Sequence, residues 1–360
     1  MTTDKEFILC INPGSTSTKV AVFEGNLLLF EETLRHAAQE LTPYPRIADQ
    51  YQFRRETITK FIASQEFPMQ KLTAVVGRGG LLKPIPGGTY TVNELMASDL
   101  KQAERGEHAS NLGGLLAKDF ASALNIPAFI VDPVVVDEMQ PIARISGHPL
   151  IERKSIFHAL NQKAVAKRYA QSKGTNYEEL NLIIAHLGGG ISVGAHENGK
   201  VIDVNNALDG DGPFSPERSG SLPVGDLARL CFSGKYTHGD IKKMLTGQGG
   251  LIAYLGTNDG REVRRRIEAQ DDQARLVFKA LAYQVAKEIG AMATVLRGQV
   301  DAIIITGGLA YDQEYLIPWV KEAVQFIGPV EVMPGEDEMI ALCEGALRVL
   351  MGQETAQIYA

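Results

Sequence analysis

Phe7–Phe30 reads FILCINPGSTSTKVAVFEGNLLLF, and Leu182–Val204 reads LIIAHLGGGISVGAHENGKVIDV. Each is an apolar run, a Gly-rich polar turn, a second apolar run, a Gly/Asn turn and a third apolar run. Runs of this kind bounded by such turns predict strand, turn, strand, turn, strand. The unit is written twice, 175 residues apart. Its repetition predicts two similar domains, facing each other across one nucleotide.

The flanking sequence extends this reading. Leu72–Val76 and Ala128–Asp132 are short buried strands set among helical stretches near Ile47–Ser64, Asn93–Arg105 and Ala109–Leu124. In the second half, Ala302–Thr306 and Val330–Met333 read as strands. Helices are expected near Val224–Phe232, Gly239–Leu245, Gln273–Leu296, Gln313–Phe326 and Glu338–Met351. Alternating β-branched runs and helical segments indicate α/β layers. Pro, Gly and charge cluster at Pro141–Ser155, so the domains are expected at 1–145 and 146–337. The last helix, 338–360, is expected to pack back on the first domain.

Bulk properties narrow the function classes. The chain has 360 residues, 44% hydrophobic and 22% charged, with a net charge of −7. That suffices for two cores and argues against nucleic-acid or anionic-membrane partners; positive charge for an anionic substrate must be local. Cys10, Cys231 and Cys343 form no CxxC pair, so neither a disulfide framework nor a zinc site is expected. Cys10 and Cys343 lie in apolar surroundings. With no signal-peptide core and no apolar run near the roughly 18 residues of a membrane span, a cytoplasmic location is expected.

Three Gly turns carry the phosphate argument. In Asn12-Pro-Gly-Ser-Thr-Ser-Thr-Lys19, Gly14 permits a tight turn, and Ser15 with its neighbours leaves N–H groups for phosphate oxygens. The Walker pattern is absent. A lone Gly/Ser turn is more often an ordinary hairpin, and the paired copy shifts that balance. Gly188, Gly189 and Gly190 end one apolar strand, and Gly307 and Gly308 end another; the competing reading is a β-bulge or simple close packing.

Charged groups cluster beside these turns. Arg78 in GRGG and Arg218 in ERSGS sit in Gly-rich loops, where bidentate binding of carboxylate or phosphate outweighs a solvated surface role. His108 and His158 each begin a helical segment and could donate to a phosphoryl oxygen, although a cap or a buried histidine is a fair competitor. Asp132 ends a strand, and Glu336-Asp337-Glu338 follows Pro334-Gly335. Acids there suit Mg²⁺ or simply complement a helix N-terminus.

Together these motifs resemble the acetokinase family, the acetate and butyrate kinases of the actin, Hsp70 and sugar kinase superfold. INPGSTSTK is similar to the family's INxGSSSxK, with Pro13 in the butyrate kinase form. FHALNQ is similar to FHGTSH, AHLGGGIS to CHLGNGSS and ERSGS to TRCGS; ITGGLA and PGEDE match late nucleotide and metal motifs. The resemblance spans the chain. It implies two duplicated ribonuclease H-like domains around a central nucleotide cleft. It further implies reversible phosphorylation of a short-chain carboxylate by ATP, giving ADP and an acyl phosphate, in a homodimer or larger homo-oligomer.

By the same resemblance, Asn12 and Lys19 belong at the phosphate site. Arg78 and Arg218 bind the acid and the transferring group. His158 stabilises phosphoryl oxygens with His186 nearby. Asp132, Asp337 and Glu338 position Mg²⁺. Gly188–Gly190 and Gly307–Gly308 contact ATP, and His108 and Phe157 line the acid. Gln162 and Gly189 replace a family histidine and asparagine. Gly79 and Gly80 replace two valines, which suggests room for a longer acyl chain, at about 0.8 kcal/mol per buried methylene. Butyrate or a branched relative is therefore expected over acetate or propionate, and Gly80→Val is expected to shift preference toward acetate. A sugar kinase of the same superfold, or an ATPase acting by binding, remains as an alternative; the first would need a base such as Asp132, and the second a binding extension.

Overall fold

Short polar turns between apolar runs make the first repeat an antiparallel meander. In the computed structural model, which describes residues 5–360, β1 (Phe7–Pro13), β2 (Ser17–Glu24) and β3 (Leu27–Arg35) pair in order. Gly25, at φ 57°, makes the β2–β3 turn, a conformation that strains any side chain. β4 (Ala74–Arg78) adds parallel to β1. β5 (Thr89–Thr91) runs antiparallel to β6 (Ala128–Val131), itself parallel to β4. β7 (Ile145–His148) and β8 (Ile151–Glu152) form a separate small hairpin.

The second repeat gives β9 (Asn181–Leu187), β10 (Ile191–Glu197) and β11 (Lys200–Val204), again an antiparallel meander. β12 (Ala302–Gly307) joins parallel to β9, and β13 (Val330–Pro334) parallel to β12. β14 (Gln357–Ile358) pairs with β5. The sheets run β14-β5-β6-β4-β1-β2-β3 and β11-β10-β9-β12-β13. Without β5 and β14, the two have the same order and the same strand directions. The duplication legible in the sequence is therefore a duplication of topology.

Contacts divide the chain into two units, Met1–Val136 with Asp337–Ala360, and Asp137–Glu336. The first crossing falls before the Pro141–Ser155 cluster rather than near 145. Segment 137–144 is tied into the second unit: Gln140 N donates to Ile202 O at 3.0 Å, and Val201 N donates to Glu138 Oε2 at 2.8 Å.

In the first unit, helices Tyr51–Ser64 and Asn111–Leu124 place Ile58, Ile62, Leu112 and Leu116 on Leu9, Ile11, Val75 and Ile130. The helix Glu338–Leu350 also meets this sheet, with Gly345 close against Val131. Ile130 and Val131 thus serve opposite faces, as the two-residue period requires. Cys10 and Cys343 are both buried, and Cys231 is exposed.

In the second unit, the helix Asp272–Val295 lays Phe278, Leu281, Val285 and Ile289 against Ile183, Val193 and Ile303. The helix Ala159–Ser172 covers the other face, with Val165 and Tyr169 against Leu182 and Ile304. Glu288 on the long helix is pushed up to about 7, first by burial and then by Asp211. A raised carboxyl pKa contributes stability that is present below its unfolded value and lost as pH rises through about 7. Glu288→Gln is expected to raise stability at pH 8 by up to about 3 kcal/mol, and by almost nothing below about pH 4.5. Urea titrations of both proteins at the two pH values check this.

Candidate active site

The first unit supplies a cation held by a carboxylate. Arg78 ends β4, and its Nη1 donates to Glu338 Oε1. Glu338 opens the last helix, and its second oxygen accepts from Asn12 Nδ2 at 2.7 Å. One carboxylate thus fixes both an amide and a guanidinium, a planar group with five donors. Asp337, the N-cap of that helix, sits at φ 44°. Lys19 is opposite Asn12 in the β1–β2 register and pairs with Glu31 at 2.9 Å.

The turn between β1 and β2 is closed by Gly14 N to Ser17 O at 2.8 Å. Sequence reasoning missed what stands behind it. Arg54, fully buried, donates to Ser15 O, Ser17 O and Thr18 Oγ1 at 3.1, 2.7 and 3.0 Å. No motif marks Arg54; only its helical spacing of four from Ile58 places it on an inward face. His108 Nδ1 lies 2.7 Å from Ser110 Oγ, and burial, then the Arg78 charge, lowers its pKa.

Two readings change in physical terms. Asp132 is 3% exposed, and its Oδ1 accepts from Gly88 N at 2.7 Å; it closes a loop rather than presenting itself to a metal. Gly79 and Gly80 open no space on their side-chain faces. A Cβ at Gly80 would stand 2.5 Å from Asn111 Cα, and one at Gly79 2.5 Å from Pro133 Cβ. Likewise a Cβ at Gly77 would meet Gly113 O at 2.0 Å. Gly77 and Gly80 let the end of β4 and the residues after it meet the start of helix Asn111–Leu124 backbone to backbone. Gly80→Val is therefore expected to lower stability by 3 kcal/mol or more, roughly the upper range for overpacking, without moving the chain-length preference of the protein that folds. Melting curves with a C2-to-C5 rate profile check both halves.

The second unit gathers the remaining groups. His158 and His186 stack with ring centroids 3.8 Å apart and 11° between planes. Phe157, just before them, is 2% exposed and belongs to the packing. Arg218 Nη1 donates to Ala207 O at 2.6 Å, and Ser215 Oγ takes the Arg218 N–H at 3.1 Å. A Cβ on Gly190 would stand 1.9 Å from Arg218 Nη1, so that glycine is where the guanidinium lies. Burial lowers the Arg218 pKa, with Glu217 opposing.

Gly188, Gly189 and Gly308 border a cavity of about 790 Å³ with Asn258, Tyr311 and Glu336. Gly308 has open space where a Cβ would stand, whereas Gly307, at φ 90°, presses on Leu187 O. The cavity also takes Asp259, Gly260 and Arg261, from the unforeseen helix Gly260–Glu268. Among the described residues, no three His, Cys, Asp or Glu side chains are grouped to hold a metal. No helix among them is long and apolar enough to cross a membrane.

The sequence profile of the Acetokinase family matches residues 145–339. The chain is 59% identical to butyrate kinase 2 of Clostridium acetobutylicum, over 98% of this chain and 99% of that one. The chain belongs to the acetokinase family. It is also 56% identical to a probable butyrate kinase of Clostridium botulinum, with the same coverage. Acetate kinase of Porphyromonas gingivalis superimposes with a TM-score of 0.78 at 19% identity, covering 96% of this chain and 100% of that one. A propionate kinase of Francisella tularensis gives 0.73 at 18%, covering 94% and 98%. Acetokinase membership accounts for the doubled sheet and for a Gly-lined cavity in the second unit. The actin, Hsp70 and sugar kinase architecture implied by the family resemblance is the fold these acetokinase neighbours share.

Proposed function

We propose that this protein transfers the γ-phosphoryl group of ATP to a short-chain carboxylate, with butyrate or a branched relative preferred, and runs the reverse reaction equally. The observation that carries this is Arg78 preset by Glu338, with Asp132 engaged in closing its own loop. A hydroxyl acceptor needs a base; a carboxylate, with a pKa near roughly 4–5, is already ionised at neutral pH. Asp132, the residue a sugar kinase reading would use, is occupied by Gly88 N–H. The 59% identity to a butyrate kinase supports C4 over C2.

In the step itself, a carboxylate oxygen forms a bond to the γ-phosphorus as the bond to the ADP oxygen breaks. No proton moves. Catalysis is then alignment and charge neutralisation. Arg78 holds the acid, Arg218 neutralises the transferring group, and His158 donates to a phosphoryl oxygen. Asn12 and Lys19 fix the turn beside it. Asp337 and Glu338 would accept from the waters of a bound Mg²⁺, which keeps several and would lower the charge of the phosphates.

Hydroxylamine trapping of acyl phosphate across C2 to C5 acids tests the proposal. The greatest kcat/KM is expected at C4. Phosphorylation of a sugar without hydroxamate formation overturns it. A cytoplasmic homodimer or larger homo-oligomer belongs to the same proposal, supported by the exposed Val224 and Phe232; a monomer by sedimentation velocity removes that part.

A further inference from the structure

Helix Ala159–Ser172 and its N-cap turn His158, Asn161 and Gln162 to one side, at helical spacings of three and four. Ser192, Gly194 and His196 share one face of β10, and His186 is Ser192's partner across β9. Gly194 makes room in this row: a Cβ there would stand 2.7 Å from Gln162 Oε1 and 3.2 Å from His196 Nε2. Gln162, His196 and Ser192 are all completely buried.

We propose that Gln162 is a positioning residue which, through Ser192, fixes His158 in the tautomer carrying its proton on Nε2. Gln162 Nε2 lies 3.1 Å from the Ser192 carbonyl oxygen and 2.9 Å from Ser192 Oγ. A carbonyl oxygen only accepts, so the amide nitrogen belongs on that side, and its two protons serve these two atoms. Gln162 Oε1 then faces His196 Nε2 at 3.0 Å, which must donate. His196 Nδ1 is left to accept from the Tyr177 hydroxyl at 2.7 Å. Burial, and then the Lys163 charge, keeps His196 neutral, so neither of its bonds reverses.

Ser192 Oγ also receives the His158 backbone N–H at 3.4 Å. With both lone pairs engaged, its own proton has one destination, His158 Nδ1 at 2.8 Å. An imidazole that accepts at Nδ1 carries its proton on Nε2. The stacked His186 is held the other way. Asn161 Nδ2 donates to Glu336 O at 3.0 Å, so its Oδ1 takes the proton of His186 Nδ1 at 2.8 Å. The two rings therefore present one donor and one acceptor. An uncharged glutamine does this without adding a third titrating ring, and a carboxylate in its place has no proton to give Ser192.

The consequence for turnover rests on the proposed role of His158 as a phosphoryl donor. The tautomer itself does not. Histidine nitrogen NMR on the full chain without substrate, assigned with His158→Gln, is expected to show a pyridine-type Nδ1 and a pyrrole-type Nε2 for His158. Gln162→Met is expected to invert that pattern and lower kcat about 10²-fold, the scale of one lost donor to a developing charge, with KM values within about twofold. Ser192→Ala gives the same kinetic split should Gln162→Met fail to fold. A pyrrole-type Nδ1 in the unmodified protein overturns the inference, as does a folded Gln162→Met of unchanged kcat. The expected tautomer in a protein that makes no acyl phosphate leaves the inference standing and overturns the proposed function.

Discussion

Arg218→Ala is expected to lower kcat about 10³-fold while ATP affinity changes little, the scale of an arginine that stabilises a transferring phosphoryl group. The geometry gives the reason. Ser215 caps the Arg218 backbone, Ala207 O holds one guanidinium nitrogen, and the missing side chain of Gly190 gives the group its place. The cation is therefore positioned before substrate arrives, and positioning in advance is what lowers a barrier. Burial works against its charge, so an incoming anion gains more from it than from a solvated arginine. Arg218→Lys is not expected to restore the rate, because an ammonium lacks the planar fork. Gly190→Ala should reproduce much of the loss with a modest fall in melting temperature, since its Cβ displaces the end of the Arg218 side chain and stands 3.1 Å from Ala207 O. Initial rates with saturating ATP, together with melting curves, decide. A kcat within threefold of the unsubstituted protein for Arg218→Ala removes it from the reaction.

Much of this was legible before any coordinates. Strands of the doubled unit announce themselves because Gly and Asn punctuate β-branched runs, and Leu182–Val204 gives β9 to β11 nearly residue for residue. Long amphipathic segments such as Asp272–Val295 are equally plain. Short elements were not. Gly250–Leu255 has fewer than two turns, and Gly260–Glu268 buries only Val263 and Ile267 among its charges, so neither shows a clear period, yet the second helps to wall the cavity. Arg78 and Arg218 stand out by their Gly-rich surroundings. What each touches does not, because partners such as Glu338 lie 260 residues away. The reading of Gly79 and Gly80 shows the limit most clearly. A missing side chain means either space for a ligand or space already filled by backbone, and only the neighbour at Asn111 tells which. Gln162 is the converse, a departure from a family pattern whose amide has both protons and its oxygen engaged.

Arg54→Met is expected to cost about 3 kcal/mol, the scale of leaving buried acceptors without their donor, and to weaken phosphate binding beyond that loss. Arg54 donates to Ser15 O, Ser17 O, Thr18 Oγ1 and Gln50 Oε1. None of these is a carboxylate, so its charge is solvated by dipoles alone, and burial lowers its pKa to about 10. It is still protonated at neutral pH. A buried cation without a counter-ion is costly, and an anion arriving at the Gly14–Ser17 turn would relieve it. The same side chain therefore braces the turn from inside and lends it positive potential. Methionine matches much of the volume and none of the donors, which leaves two backbone carbonyls, a hydroxyl and the Gln50 amide oxygen without this partner. Arg54→Lys returns the charge but fewer of the bonds, so it should recover more of the phosphate affinity than of the stability. Urea midpoints with and without inorganic phosphate separate the two contributions. If Arg54→Met retains both its midpoint and its phosphate-dependent gain, the buried guanidinium neither braces nor charges the turn. If it loses only the midpoint, the brace stands and the potential comes from Lys19 and the turn amides alone.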